Sequence, residues 1–453
     1  MNINHIQSTF FLGIGGIGMS ALARHFHGLG VEVCGYDRTQ TKLTKELEAE
    51  GIAILYADDP AGLACRPELV VYTPAVPETS KLFGHFRSEG TPILKRARVL
   101  GLLSQQHPTI AIAGTHGKTT ISTMLTHILR QAGIPCLAFL GGISTNYGTN
   151  YISDPQPHWL IAEADEYDRS FLHLSPQIAM ISAVDSDHMD VYGNRDAMLE
   201  SFRDFANTVS TNGTLITKEN IAEKIGLGGK QFNYRVDPPA DYYFEKVRLH
   251  DGYHQAGIGG RLQVEGIQMQ YPGKHNLENA LAAAALAHLA GISASHIREG
   301  LNSFLGVKRR FEIIVQTANT IYIDDYAHHP EEINACISSA REMWPGRKIT
   351  GVFQPHLYSR TRDLADQFAE SLSQLDELIL LPVYPAREQA IQGVDSEMLL
   401  RKVKLSNARC CTKEETIQCL RDTNQHVLIT MGAGDIDSLT DPIKKLLIQK
   451  KEP

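Results

Sequence analysis

Cysteine is scarce in this chain: seven in 453 residues, none in a CxxC spacing, and two of them, Cys410 and Cys411, adjacent. That pattern excludes a disulfide framework and a cysteine-built zinc site, and it reads as thiols that are reduced and buried. Positive charge is also short. The formal net charge is -8 and the basic residues are scattered, so the footprint of a nucleic-acid binder is missing and an anionic substrate has to be held locally. No apolar run reaches the roughly 18 residues that span a bilayer. The start MNINHIQSTF has neither the basic nor the apolar region of a signal peptide, so the expected location is the cytoplasm. Internal repeats and low-complexity tracts are absent, and only the last residues, IQKKEP, read as a frayed end.

What is present is an alternation. Short apolar runs (TFFLGIGG, ELVVYTPAV, PTIAIAGT, HWLIAEAD, QIAMISAV, KITGVFQP, HVLITMGAG) have helical patterns between several of them. Continuous apolar strands separated by helices imply parallel sheets covered on both faces, hence an α/β fold. Several runs end in Gly, Asp, Glu or His, and open α/β sheets bind ligands beyond the carboxyl ends of their strands. At about 150 residues per domain the length implies roughly three domains. A new strand-loop-helix unit begins after Gln106 and a basic cluster ends at Arg310, which places the domains at 1–106, 107–310 and 311–453. The stretch from about Lys224 to Tyr271, rich in Gly and Tyr, reads as antiparallel strands decorating the middle domain.

Six motifs carry the chemistry. In the first, Gly13-Ile14-Gly15-Gly16-Ile17-Gly18 follows a strand and opens a helix, with Asp37 beyond the next strand. Glycines let the backbone approach a pyrophosphate at a helix N-terminus, and an acid about 20 residues on can take a ribose hydroxyl. NAD and a UDP-sugar satisfy this pattern equally. In the second, Gly114-Thr115-His116-Gly117-Lys118-Thr119-Thr120 carries the GK[ST] core of a P-loop, although Ile112 stands where the first Gly usually does. Backbone N–H groups would cradle phosphates, Lys118 would reach the outer phosphates and Thr119 would ligate Mg²⁺. The third is a pair of acidic strand ends, Glu163-Ala164-Asp165-Glu166 and Asp185-Ser186-Asp187-His188, which could hold one or two Mg²⁺ ions facing that loop. In the fourth, Asn276 and Asn279 share a helix face, and spacing favours a cap over a nucleobase contact. Arg310, in Lys308-Arg309-Arg310, reads equally as a phosphate ligand or as a solvated basic linker. Asp324-Asp325, ahead of His328 and Pro330, could hold ribose or phosphate, or merely lead into a helix.

Taken in order, GIGGIGMSALA, IAGTHGKTT, AEADEYD, DHMDVYG, GKHNLENALAA, VKRRFE, DDYAHHPEE and FQPHLYSRTRDL resemble the Mur ligase family of peptidoglycan synthesis over essentially the whole chain. The resemblance implies three domains: one for a UDP-sugar, a central ATPase, and a C-terminal domain closing over ATP and bringing an amino acid. It implies Lys118 on the ATP phosphates within the loop Gly114 to Thr120, Thr119 and Glu163 on one Mg²⁺, and His188 on a second. It further gives Asn276 and Asn279 to adenine, Arg310 and His328 to the ATP side, and Asp325 to the ribose. Lys118, His188 and Arg310 become the catalytic set. Gly15, Gly16, Ile17 and Gly18 would hold the UDP pyrophosphate, with Asp37, Thr73, Pro74 and Ala75 near the uridine. The segment VYGNRDAMLESFRDFAN lacks the lysine that some members carbamylate, and the first loop is not the bulkier GTFMGG-like one of the tripeptide-recycling type. Both details match the type that joins L-alanine to UDP-N-acetylmuramate. In one departure, Leu357 replaces the first Arg of QPHRYTRTR, so the amino-acid carboxylate falls to Arg360.

Overall fold

The apolar runs become strands that are buried along most or all of their length. Ser8–Leu12, Thr109–Ala113, Ile321–Asp325, Ile349–Phe353 and Val427–Met431 have no exposed residue, as expected of strands covered on both faces. The computed structural model describes residues 3–185, 192–229, 231–250, 253–271, 273–386, 388–422 and 426–449. The chain packs as two units. The first comprises Met1–Arg248, Gln255–Met269 and Glu278–Phe304; the second comprises Leu249–His254, Gln270–Leu277 and Leu305–Pro453.

The first unit holds two sheets. A five-stranded sheet runs in the order Ala53–Leu55, Glu32–Tyr36, Ser8–Leu12, Leu69–Tyr72, Ile93–Lys95, with every neighbouring pair parallel. In the ten-stranded sheet Thr109–Ala113 lies between Ile178–Ile181 and Trp159–Ala164, parallel to both. Chain order reverses at Ser8–Leu12 in one sheet and at Thr109–Ala113 in the other, and each of these strands leads into one of the two glycine loops. Those are the topological switch points where open α/β sheets place ligands. Strands from Phe232 to Met269 extend one edge of the second sheet. The expected antiparallel decoration is corrected at its start, because Tyr234 pairs with Tyr242 in parallel.

The second unit is built on six strands in the order Glu312–Gln316, Ile321–Asp325, Val427–Met431, Ile349–Phe353, Glu377–Leu380, Ala408–Cys410, of which only the first pair is antiparallel. Two smaller expectations need correction. The helix Thr440–Gln449 carries the start of the supposed frayed end. All seven cysteines are free as expected, but Cys65, Cys410 and Cys419 are only half-buried. Among the described residues no helix is long and apolar enough to cross a membrane.

Two histidines buried in the first unit tie its elements together. His25, on helix Ile17–Gly28, meets the Tyr151 hydroxyl at 2.9 Å and packs edge-on against Phe139. His127 meets the hydroxyls of Tyr147 and Ser303, each at 2.9 Å. Burial lowers both to about 4, with His107 adding to the shift at the first and Arg130 at the second. A base whose pKa is depressed on folding binds fewer protons folded than unfolded, so its stability contribution is full above 6.5 and is lost as pH falls towards 4. The effect is at most about 3 kcal/mol for each histidine. Thermal unfolding followed from about pH 7 down to 4 should therefore fall more steeply for the native chain than for His25→Gln; equal slopes would show that His25 does not titrate in that window.

Candidate active site

The first glycine loop is shaped by a carboxylate. Asp37, at the end of the neighbouring strand, accepts the Gly15 N–H at 2.9 Å and the Thr39 N–H at 3.1 Å, fixing the turn from inside. Helix Ile17–Gly28 then starts on Gly16 with no side-chain cap. Its first N–H groups have no intrahelical acceptor and are left for an anion, which the helix dipole also favours. Thr73 lies at the end of the adjacent strand with its methyl against Gly13, while Pro74 and Ala75 are exposed beyond it.

The P-loop repeats this design. Gly117 caps helix Lys118–Gln131 at φ 85, again with no side-chain cap. That left-handed angle favours glycine. A Cβ there would also stand 2.5 Å from Asn279 Oδ1, so Asn279 sits against the loop. The Thr115 N–H donates to the Ala183 carbonyl, and Thr115 Oγ1 accepts the Asp185 N–H at 3.2 Å. His116 Nε2 lies 3.8 Å from Asp185. Thr120 is buried behind the loop. Lys118 Nζ donates to the Gly114 carbonyl at 2.6 Å and to both oxygens of Glu166, at 2.9 and 2.7 Å. Burial opposes its charge, but Glu166, Asp165 and Glu163 outweigh burial and hold the ammonium above its ordinary pKa.

Glu163 accepts from Thr119 Oγ1 and Ser122 Oγ, both at 3.0 Å, and from the Gly141 N–H at 2.5 Å. Burial raises its pKa even so. A half-buried carboxylate beside a hydroxyl at the mouth of a P-loop is a hard-oxygen pair that suits Mg²⁺, and two uncapped glycine-led helix starts suit phosphates. The residues present therefore fit ATP and Mg²⁺. His188 lies outside the described residues.

One cavity of about 340 Å³ joins the two loops. Gly16, Ile17, Gly18 and Thr73 line it from the first sheet, and Lys118, Gly141, Glu163 and Asp165 from the second, with Leu22, Leu100 and Phe139 as apolar wall. Two polar residues here escaped sequence reasoning. Arg96 lines the cavity and reaches Asp165 at 3.3 Å; its signal was a basic cluster directly after a parallel strand, where ligands bind. Glu166, 1% exposed, stood within a noted acidic motif without a role.

The second unit gathers the remaining predicted residues. Arg309 binds Asp324 at 3.1 Å and the Gly432 carbonyl at 2.6 Å, and Arg310 lies 3.9 Å from Glu332, so both arginines have acidic partners while Lys308 is exposed. Burial opposes Arg310's charge, but Glu332 and Asp325 outweigh it and raise the guanidinium's pKa. Asp325 accepts the N–H groups of Phe311 and Ala327, both at 2.7 Å, while burial, partly offset by Arg310, pushes it up to about 7. His328 meets Glu332 at 3.3 Å, and burial lowers its pKa. Arg360 lies on helix Tyr358–Asp363, which follows Leu357 at φ 70. Asn276, buried, is three residues before Asn279 on one helix.

Truncating Lys118 strands Glu166 without its cation, and breaking a buried pair from one side costs about 3–5 kcal/mol. Lys118→Met should thus lower the melting temperature more than Lys118→Met with Glu166→Gln, as read by differential scanning fluorimetry. Equal losses would mean that the pair is not coupled.

Comparison with known proteins matches residues 9–108 to the Mur ligase family, catalytic domain, 112–287 to the Mur ligase middle domain, and 309–434 to the Mur ligase, glutamate ligase domain. UDP-N-acetylmuramate–L-alanine ligases of Parabacteroides distasonis and Cytophaga hutchinsonii are each 44% identical, the alignments covering 99% of this chain and 99% of each relative. The crystal structure of a UDP-N-acetylmuramate–alanine ligase from Thermotoga maritima superposes with a TM-score of 0.84 at 28% identity, covering 99% of this chain and all of that one, 100%. The fold is accordingly the three-domain α/β architecture expected from the sequence. With similarity of that depth running from end to end, the chain belongs to the Mur ligase family.

Proposed function

We propose that this chain joins L-alanine to the lactyl carboxylate of UDP-N-acetylmuramate at the expense of ATP, giving UDP-N-acetylmuramoyl-L-alanine, ADP and phosphate in peptidoglycan synthesis. The observation that carries the reading is the shared cavity: a loop built for a pyrophosphate and a P-loop with its lysine and acid open into the same space. A substrate lying along it with its diphosphate on Gly15, Gly16, Ile17 and Gly18 would direct its far end towards Lys118 and Glu163. Asp37, Thr73, Pro74 and Ala75 border the uridine end. The names of the full-length relatives supply the identity of sugar and amino acid.

A carboxylate is a poor electrophile, and bound ATP supplies the phosphoryl group that makes it an acyl phosphate for the amine to attack. The chain's own part is positioning and charge. Lys118, with the loop Gly114 to Thr120, holds the phosphates, and its charge is already secured by Glu166. Thr119 and Glu163 hold one Mg²⁺, and His188 a second. In this proposal Asn276 and Asn279 flank adenine, Asp325 takes the ribose, Arg310 and His328 serve the phosphate side, and Arg360 takes the amino-acid carboxylate. Domains at 1–106, 107–310 and 311–453 separate sugar, ATP and amino-acid duties, and the enzyme works in the cytoplasm.

Phosphate release by the purified protein with Mg²⁺, ATP and UDP-N-acetylmuramate should depend on L-alanine, with glycine and L-serine weaker, and should yield an amide product. Release dependent only on a tripeptide would move the reading to recycling. Glu163→Gln should keep the fold but lower kcat about 100- to 1000-fold, the scale of losing one preorganised charge partner, and unchanged turnover would remove Glu163 from the metal site.

A further inference from the structure

We infer that Arg96 binds the diphosphate of the sugar nucleotide, beside the first glycine loop whose turn Asp37 shapes. The inference rests on the proposed function and adds to it a residue that no motif assigned.

Arg96 opens the helix Arg96–Ser104 at the carboxyl end of the edge strand Ile93–Lys95 and lines the cavity. Its side chain packs against the start of the helix that the loop opens: a Cβ added to Gly18 would stand 2.7 Å from Arg96 Nη1 and 3.3 Å from both Cδ and Cζ. Glycine at 18 leaves room for the arginine in this position. The guanidinium and the uncapped N–H groups of helix Ile17–Gly28 therefore converge on one place, and both demand an anion.

The neighbouring lysine shows what a purely structural cation looks like here. Lys95 is committed to Asp168 at 2.6 Å. Among the described residues Arg96 has one long hydrogen bond, 3.3 Å to Asp165 Oδ2, for five N–H donors, and its side chain is 26% exposed. A planar guanidinium with donors to spare can grip two phosphate oxygens at once, which an ammonium cannot. The competing role is a strut that merely ties the first sheet to Asp165.

The test is calorimetric titration of the full chain with UDP and with uridine, for the native protein, Arg96→Ala, Arg96→Lys and Asp165→Asn, with thermal unfolding to confirm that each variant is folded. The inference predicts that Arg96→Ala raises the Kd for UDP about tenfold or more, that Arg96→Lys falls between, and that uridine affinity is unchanged. Asp165→Asn should leave UDP affinity within about twofold, because it removes the strut and keeps the guanidinium. Arg96→Ala binding UDP like the native chain, weakening of uridine as large as that of UDP, or Asp165→Asn reproducing Arg96→Ala would each overturn it. A native chain that binds no UDP would instead overturn the sugar-nucleotide reading on which the inference stands.

Discussion

The arrangement of the first unit depends on keeping one half-buried ammonium charged. Lys118 lines the cavity, where partial burial opposes its charge and Glu166, Asp165 and Glu163 sustain it. The dependence is mutual, since Glu166 is 1% exposed and a buried carboxylate without a cation is costly. The sheet delivers the two sides to each other. Thr109–Ala113 and Trp159–Ala164 are parallel neighbours with Ile112 opposite Glu163, so the loop after one strand and the acids ending the other emerge side by side. A ligand phosphate arriving at Lys118 finds a cation already charged and already placed, which is the preorganisation that phosphoryl transfer rewards.

The two glycine loops are versions of one solution. Each leaves the strand at which its sheet reverses order, and each starts a helix on a glycine with no side-chain cap. They differ in what shares the space. At the first loop Asp37 is spent on the Gly15 and Thr39 N–H groups and shapes the turn, leaving Arg96 as the nearby cation. At the second, lysine, threonine and glutamate crowd together for phosphate and metal. Leu22, Leu100 and Phe139 add apolar lining to the one cavity that both loops share, as suits a long substrate with an anion at each end.

Much of this was legible in the sequence because its signals are local. Continuous apolar runs between helical patterns gave the parallel strands, and glycines before helices marked both loops. The residues that escaped are those whose meaning comes from long-range pairing. Arg96 meets Asp165, 69 residues away, and Glu166 meets Lys118, 48 residues away; in sequence the one is a basic residue opening a helix and the other an acid in a loop. Arg310 looked as much like solvated linker as ligand until Glu332 and Asp325 stood near it. The parallel pairing of Tyr234 with Tyr242 escaped because alternation specifies a strand and its faces but not the direction of its neighbour.

The central claim is that one cavity brings the sugar's carboxylate to the phosphoryl donor held by Lys118. Its most direct test uses UDP-N-acetylmuramate with both lactyl carboxylate oxygens labelled with ¹⁸O, turned over with ATP, Mg²⁺ and L-alanine, and follows the label by mass spectrometry. Attack of the carboxylate on phosphorus, then of the amine on the acyl carbon, leaves one labelled oxygen in the released phosphate and one in the amide. That split is the predicted result, and phosphate free of label would contradict the account.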